Sequence, residues 1–161
     1  MGRKKRGENP YTRFDCLNEY SSTDKSFFQT YHSQMQSPAY LDLTDGAKVL
    51  LTICKDCRRY STAGRQGEFF PNAPRNDPTM FYLNRAVLKM YGWTSPNKFR
   101  ERMKELILHG FIRCIEDGFD TRTKNIYQFS DEWKKLKKGE TIQPEGVNAA
   151  FLEQHKKRTK S

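Results

Sequence analysis

One stretch between two glycine turns constrains this chain more than any other. Tyr91-Gly92-Trp93-Thr94 reads as a tight turn, and Ser95 follows as a helix N-cap with Pro96 at the first helical position, where a missing N–H is tolerated best. The helix so opened is expected to run to about His109 and to stop at Gly110, the residue type suited to a left-handed C-terminal turn. Phe111–Glu116 and Asn125–Phe129 then form two β-rich runs around the polar segment 117–124, the pattern of a hairpin with a long tip. Upstream, Asn84 is expected to cap a short helix, Arg85–Met90, with Ala86, Val87 and Met90 as its apolar positions.

A longer helix precedes these elements. Thr44 is a good N-cap with Asp45 in the positive first turn, and Ala47, Leu50, Leu51, Cys54 and Cys57 recur on one helical face. Val49 and Ile53 broaden that face, and the helix should end near Tyr60. Residues 61–78 hold Gly64, Gly67, Pro71, Pro74 and Pro78 and predict an irregular insert. Thr79–Leu83 is a short β-prone run. Before the long helix, residues 27–32 are expected as a short strand, Gln34–Pro38 as a lead into a turn, and Ala39-Tyr40-Leu41 as packed on the core. Helix, short strand, short helix, glycine turn, capped helix and hairpin is the order of a winged helix-turn-helix. The expected class is therefore α+β: a three-helix core with a two-stranded β wing. Ser130-Asp131-Glu132-Trp133 caps an extra C-terminal helix, and Gly139 and Pro144 mark a tail.

The charge is unevenly placed. The 161 residues carry 29 basic and 19 acidic groups, a net +10. Residues 1–6 contribute +4 through Arg3, Lys4, Lys5 and Arg6; residues 134–161 contribute +5; the long middle carries only +1. The division expected is a basic, irregular N-terminal arm over 1–26, a folded domain over 27–133 and a basic C-terminal tail over 134–161. Basic, flexible ends on a nearly neutral domain suit phosphate contacts, with sequence reading left to the folded part; cationic tails that only aid solubility are the plainer alternative. No apolar run approaches a membrane span and no apolar segment follows the basic start, so a soluble, cytoplasmic protein without membrane contact is expected.

Within helix 95–109, Phe99, Met103, Leu106 and Ile107 define the core face, since about 100° separates successive residues. Asn97, Lys98, Glu101, Lys104 and Glu105 point away from it, and Arg100 and Arg102 sit on its flanks. Long basic side chains there can reach phosphate or a guanine edge; a solvated face with ion pairs such as Glu101–Lys104 is the alternative. In the wing, Arg122, Lys124 and Asn125 suit phosphate contact, while Glu116, Asp117 and Asp120 oppose it. Trp93 and Trp133 read as core plugs.

Cys54-Lys-Asp-Cys57 has a zinc-like spacing, but it lies on the helical stripe and no second pair follows in sequence. Cys16 or Cys114 could still complete such a site; the expectation is instead reduced thiols, with Cys54 and Cys57 as two small apolar residues on a buried helical stripe. His32, His109 and His155 fall in no catalytic spacing, and phosphate-binding glycine loops and nucleophile elbows do not occur. A non-enzymatic protein without cofactor is the expectation.

Two phrases add a family resemblance: Ser37-Pro38-Ala39-Tyr40-Leu41-Asp42-Leu43-Thr44-Asp45-Gly46-Ala47-Lys48-Val49-Leu50 and Lys104-Glu105-Leu106-Ile107-Leu108-His109-Gly110-Phe111-Ile112. Together they resemble the N-terminal winged-helix domain of RepA-N-type replication initiators of Gram-positive plasmids, phages and integrated mobile elements. The resemblance spans about residues 27–133 and rests on core and turn positions. It implies binding to origin or operator DNA, often as a dimer, with helix 95–109 in the groove. Unlike the longer initiators, the chain is expected to lack a second domain for a helicase or loader, and a small accessory or regulatory role in replication or transcription is the expectation.

The expected partners are double-stranded DNA, a second copy of the chain and replication proteins. The DNA-contacting set is Asn97, Lys98, Arg100, Arg102 and Lys104 on the helix, Arg122 and Lys124 on the wing, and Arg3, Lys4, Lys5 and Arg6 on the arm. The alternative is a winged helix used for protein docking or dimerisation, with the aromatic lead-in Phe27, Phe28, Tyr31 and Tyr40 at the interface. A third reading leaves the basic ends to bind RNA or a membrane surface without folded recognition.

Overall fold

A computed structural model describes residues 30–62, 77, 79–83, 85–118 and 124–158. Its elements in chain order are α1 (His32–Met35), α2 (Pro38–Leu41), α3 (Asp45–Thr62), β1 (Met80–Tyr82), α4 (Arg85–Met90), α5 (Pro96–Leu108), β2 (Ile112–Glu116), β3 (Ile126–Phe129), a 3₁₀ turn (Glu132–Lys135) and α6 (Gly146–Arg158). The class is α+β, with the three strands in one antiparallel sheet of order β1-β3-β2.

Local chemistry sets the helix starts. Ser37 Oγ accepts the Tyr40 N–H at 3.2 Å ahead of Pro38, and Ser95 Oγ accepts the Lys98 N–H at 3.4 Å ahead of Pro96. Thr44 Oγ1 accepts the Ala47 N–H at 3.4 Å and so caps α3 as expected. The buried face of α3 is the predicted stripe of Ala47, Leu50, Leu51, Cys54 and Cys57, joined by Ile53. Val49 departs from the expectation: it is exposed, because the apolar arc closes one residue short of it.

The lead-in also differs. Thr30 and Tyr31 are not strand, and His32 opens α1, whose Gln34 side chain accepts from Lys55 Nζ on α3 at 2.5 Å. Residues 27–29, the expected cap Asn84 and most of the 61–78 insert lie outside the described residues. In α4 the buried positions are Val87 and Leu88, whereas Ala86 and Met90 face solvent. A six-residue helix has little room for a stripe, and the contacts at its edge decide which side chains turn inward.

β1 extends the β2–β3 hairpin as a third strand against β3, with Phe81 opposite Tyr127, and β2 sets Cys114 opposite Tyr127. Phe81, Tyr127 and Phe129 form an aromatic row, with Phe81 4.8 Å from Phe129 and 5.8 Å from Tyr127 between ring centroids. A register shift between Cys114 and Glu116 breaks the regular pairing near the end of β2.

The C-terminal stretch is not wholly a tail. Trp133 stacks on Phe111 at 5.7 Å with ring planes 8° apart. α6 then lies along the outer edge of β2, where Asn148 Oδ1 accepts the Cys114 N–H at 2.7 Å, so an edge that would otherwise be open is covered. Phe151 and Leu152 are buried in the same core as α3 and α5, and Phe151 meets Tyr127 edge-on.

Gly110 has φ 75°, and a Cβ there would lie 2.7 Å from the Trp133 backbone nitrogen. Gly139 also has positive φ (77°) but faces open space. Gly110→Ala is therefore expected to lower stability by at least about 2 kcal/mol, against about 1–2 for Gly139→Ala, where only the backbone conformation is strained. Phe151→Ala should cost about 3–5 kcal/mol. Urea unfolding checks all three; equal losses for the two glycines would refute the close approach at Gly110.

Candidate nucleic-acid interface

α5 presents its predicted core face inward: Met103, Leu106 and Ile107 are buried and Phe99 packs against the core. On the opposite side Asn97, Lys98 and Glu101 are exposed, while Arg100 and Lys104 are half-buried. Arg100 Nη1 donates to Asn97 Oδ1 at 3.4 Å, which gathers these two predicted residues on the first turns of the helix. Lys98 and Lys104 have no ion-pair partner among the described residues.

Arg102 and Glu105 are engaged elsewhere. Glu105 accepts from the Thr44 N–H at 2.5 Å and from the Thr44 hydroxyl at 2.8 Å, and pairs with Arg102 Nη1 at 3.2 Å. Arg102 also lies against Gly46, where an added Cβ would come within 3.0 Å of its Nε. These contacts tie α5 to the start of α3. The ion pair on this helix is thus Arg102–Glu105, not Glu101–Lys104, because Glu105 is the carboxylate that α3 positions. Leu108 is partly buried against the core although it sits on the outward arc. The open surface of α5 is therefore its N-terminal half.

α4 adds two residues that the sequence reading passed over. Arg85 and Lys89 lie one turn apart and exposed, and with Ala86 and Met90 they leave the solvent face of α4 free of acid. Their i, i+4 spacing was the available signal. Tyr91, in the turn between α4 and α5, hydrogen-bonds Asp56 on α3.

On the hairpin, Lys124 is exposed with Nζ 5.6 Å from the centre of the Tyr82 ring, at the β1 side of the sheet. It is not drawn to α5. Asn125 holds the base of the hairpin, accepting from the Gly118 N–H at 2.9 Å and donating to Tyr127 Oη at 3.0 Å. Arg122, Arg3, Lys4, Lys5 and Arg6 lie outside the described residues.

Cys54, Cys57 and Cys114 are free and buried; Cys16 lies outside the described residues. Burial pushes the Cys54 thiol well up, and nearby Cys57 adds to this. Burial first, then Asp117, pushes Cys114 up to about 12. Both shifts follow from burial, which the stripe on α3 implied for Cys54 and Cys57. Among the described residues, no group of three or more His, Cys, Asp or Glu is placed to hold a metal ion, and no helix is long and apolar enough to cross a membrane.

No family model, no curated protein and no solved structure matches the chain.

The thiol shifts carry a pH dependence. Unfolded cysteines ionise near about 8.5, whereas folded Cys114 keeps its proton to about 12. Between these limits the unfolded state binds fewer protons, so stability is intact below about pH 8 and falls as pH rises toward 12. Urea midpoints at pH 7.5 and 10, for wild type and Cys114→Ser, check this: the alkaline loss should shrink in the variant. Equal losses would show that Cys114 does not contribute.

Proposed function

We propose that the chain is a winged helix-turn-helix protein that binds double-stranded DNA. α4 and α5 form the helix-turn-helix, β2 and β3 the wing, and the N-terminal half of α5 reads the major groove. The observation that carries this reading is the cationic surface of α5, with Lys98 exposed and Arg100 and Lys104 half-buried, beside the exposed Arg85 and Lys89 of the preceding helix. Asn97, Lys98, Arg100 and Lys104 contact bases or flanking phosphates, Arg85 and Lys89 contact phosphate, and Arg102 serves as a tie to α3. Lys124, Arg122 and the arm residues Arg3, Lys4, Lys5 and Arg6 add phosphate contacts that carry no sequence information. The phrases 37–50 and 104–112 support a role in replication initiation or its regulation on a mobile element in a bacterial cytoplasm, with a second copy of the chain and replication proteins as partners. The reading is non-enzymatic. A second reading, protein docking, is favoured by the exposed Val49, Met90 and Tyr91.

Fluorescence anisotropy of the full chain with labelled duplex, across a salt series, tests the assignment. Lys98→Ala with Arg100→Ala should weaken binding about 5–150-fold for each base contact removed. Arg85→Ala with Lys89→Ala should weaken all sequences alike and lower the salt slope by about 2. Arg102→Ala should lower thermal stability and leave affinity near wild type. Binding that ignores both the α4 and α5 substitutions would refute DNA recognition by this face and favour docking.

A further inference from the structure

The segment after β3 alternates in a way that tail composition does not reveal. Trp133 is buried and Leu136 packs against the core, while Lys134, Lys135, Lys137 and Lys138 are exposed. The backbone beneath the lysines is fastened at several points. The Trp133 N–H donates to Gly110 O at 3.2 Å, the Gly139 N–H to Asp42 Oδ2 at 2.5 Å and the Ile142 N–H to Leu108 O at 2.8 Å. The Lys137 N–H donates to Glu140 Oε2 at 2.8 Å. Lys134 pairs with Asp131 at 3.1 Å, and Lys135, Lys137 and Lys138 have no ion-pair partner among the described residues.

Its position matters as much as its charge. The strip is attached where α5 ends, and a helix of 13 residues at about 1.5 Å per residue puts about 20 Å between that end and the start of α5. Carboxylates lie in the contacts that join the two cationic surfaces. Glu105 accepts from Thr44 and is paired with Arg102, Asp42 accepts from the Gly139 N–H, and Asp45 is fully exposed with Lys48 3.7 Å away. One straight duplex laid over both surfaces would bring its phosphates toward Asp42 and Asp45.

We propose that the lysine strip 134–138 is a second phosphate-binding surface for duplex DNA, separate from α5, so that one chain holds two duplex segments. This rests on the DNA-binding reading above. A duplex fits the strip better than an anionic membrane does, because the two apolar side chains point into the core and offer nothing to insert among lipids.

A bridging assay tests it. One duplex is fixed to beads, and capture of a second, fluorescent duplex is measured with the full chain, with Lys135→Glu/Lys137→Glu/Lys138→Glu, and with Lys98→Glu/Arg100→Glu; circular dichroism confirms folding. Wild type should capture the second duplex. The strip variant should bind single duplexes through α5 but lose at least about tenfold in capture, with a salt slope lower by about 2–3. The α5 variant should lose capture too, while keeping weak, sequence-independent binding. Capture by the strip variant at the wild-type level would overturn the proposal, including the case in which two copies of α5 in a dimer do the bridging. If wild type binds single duplexes but does not bridge them, the second site is refuted and the α5 reading stands. If wild type binds no duplex, both fail. Strip-dependent binding to phosphatidylserine vesicles without bridging would assign the lysines to a membrane surface instead.

Discussion

At Gly110 the chain leaves α5 in a left-handed conformation, and two hydrogen bonds lock the reversal: Phe111 N–H to Leu106 O and Gly110 N–H to Ile107 O, both 3.0 Å. This is the paired-bond turn that satisfies the last carbonyls of a helix. It sends Phe111 straight into the core and starts β2 directly beneath α5. The same glycine leaves room for the chain to return, since Trp133 closes onto Gly110 O and its ring stacks on Phe111. The end of α5, the sheet and the C-terminal segment therefore share one joint. A side chain at that joint would push the 3₁₀ turn outward and loosen everything after residue 130.

What could be read from the sequence follows the range of the interactions responsible. The α5 boundaries, the α3 stripe and the two β-rich runs are set by caps, glycine turns and periodicity within a few residues, and Ser95, Pro96 and Gly110 announce them. β1 as the partner of β3 required knowing that Phe81 faces Tyr127, 46 positions away in the chain. α6 escaped because its apolar residues do not make a stripe: Phe151 and Leu152 are adjacent and buried, while Val147 is exposed. A helix held by two neighbouring side chains and one asparagine at a sheet edge has little periodic signature.

The candidate interface was legible to a similar extent. The helical wheel separated core from solvent on α5 correctly for Met103, Leu106 and Ile107, but it treated the outward arc as uniformly available. Thr44 removes Glu105 from that arc, and Glu105 in turn takes Arg102. An electrostatic contact across two helices thus decides which of four similar cations remain free, and no one-helix projection contains it. Arg85 and Lys89 were overlooked for the opposite reason, since α4 is too short for its exposed face to stand out in sequence.

The distribution of charge follows from this packing. Had residues 134–161 been a loose tail, their net +5 would act as a diffuse field that salt screens within about 8–10 Å. Instead Trp133, Leu136, Phe151 and Leu152 are committed to the core, and the lysines at 134–138 are held at fixed points on the surface between them. Fixing them forgoes the reach of a flexible arm, but it also removes the entropy cost of ordering that backbone when a polyanion binds. It further means that charge and stability cannot be separated by truncation: deleting the C-terminal stretch takes Phe151 and Leu152 from the core along with the lysines. Only substitutions that leave Trp133 and Leu136 in place can isolate what the charge does.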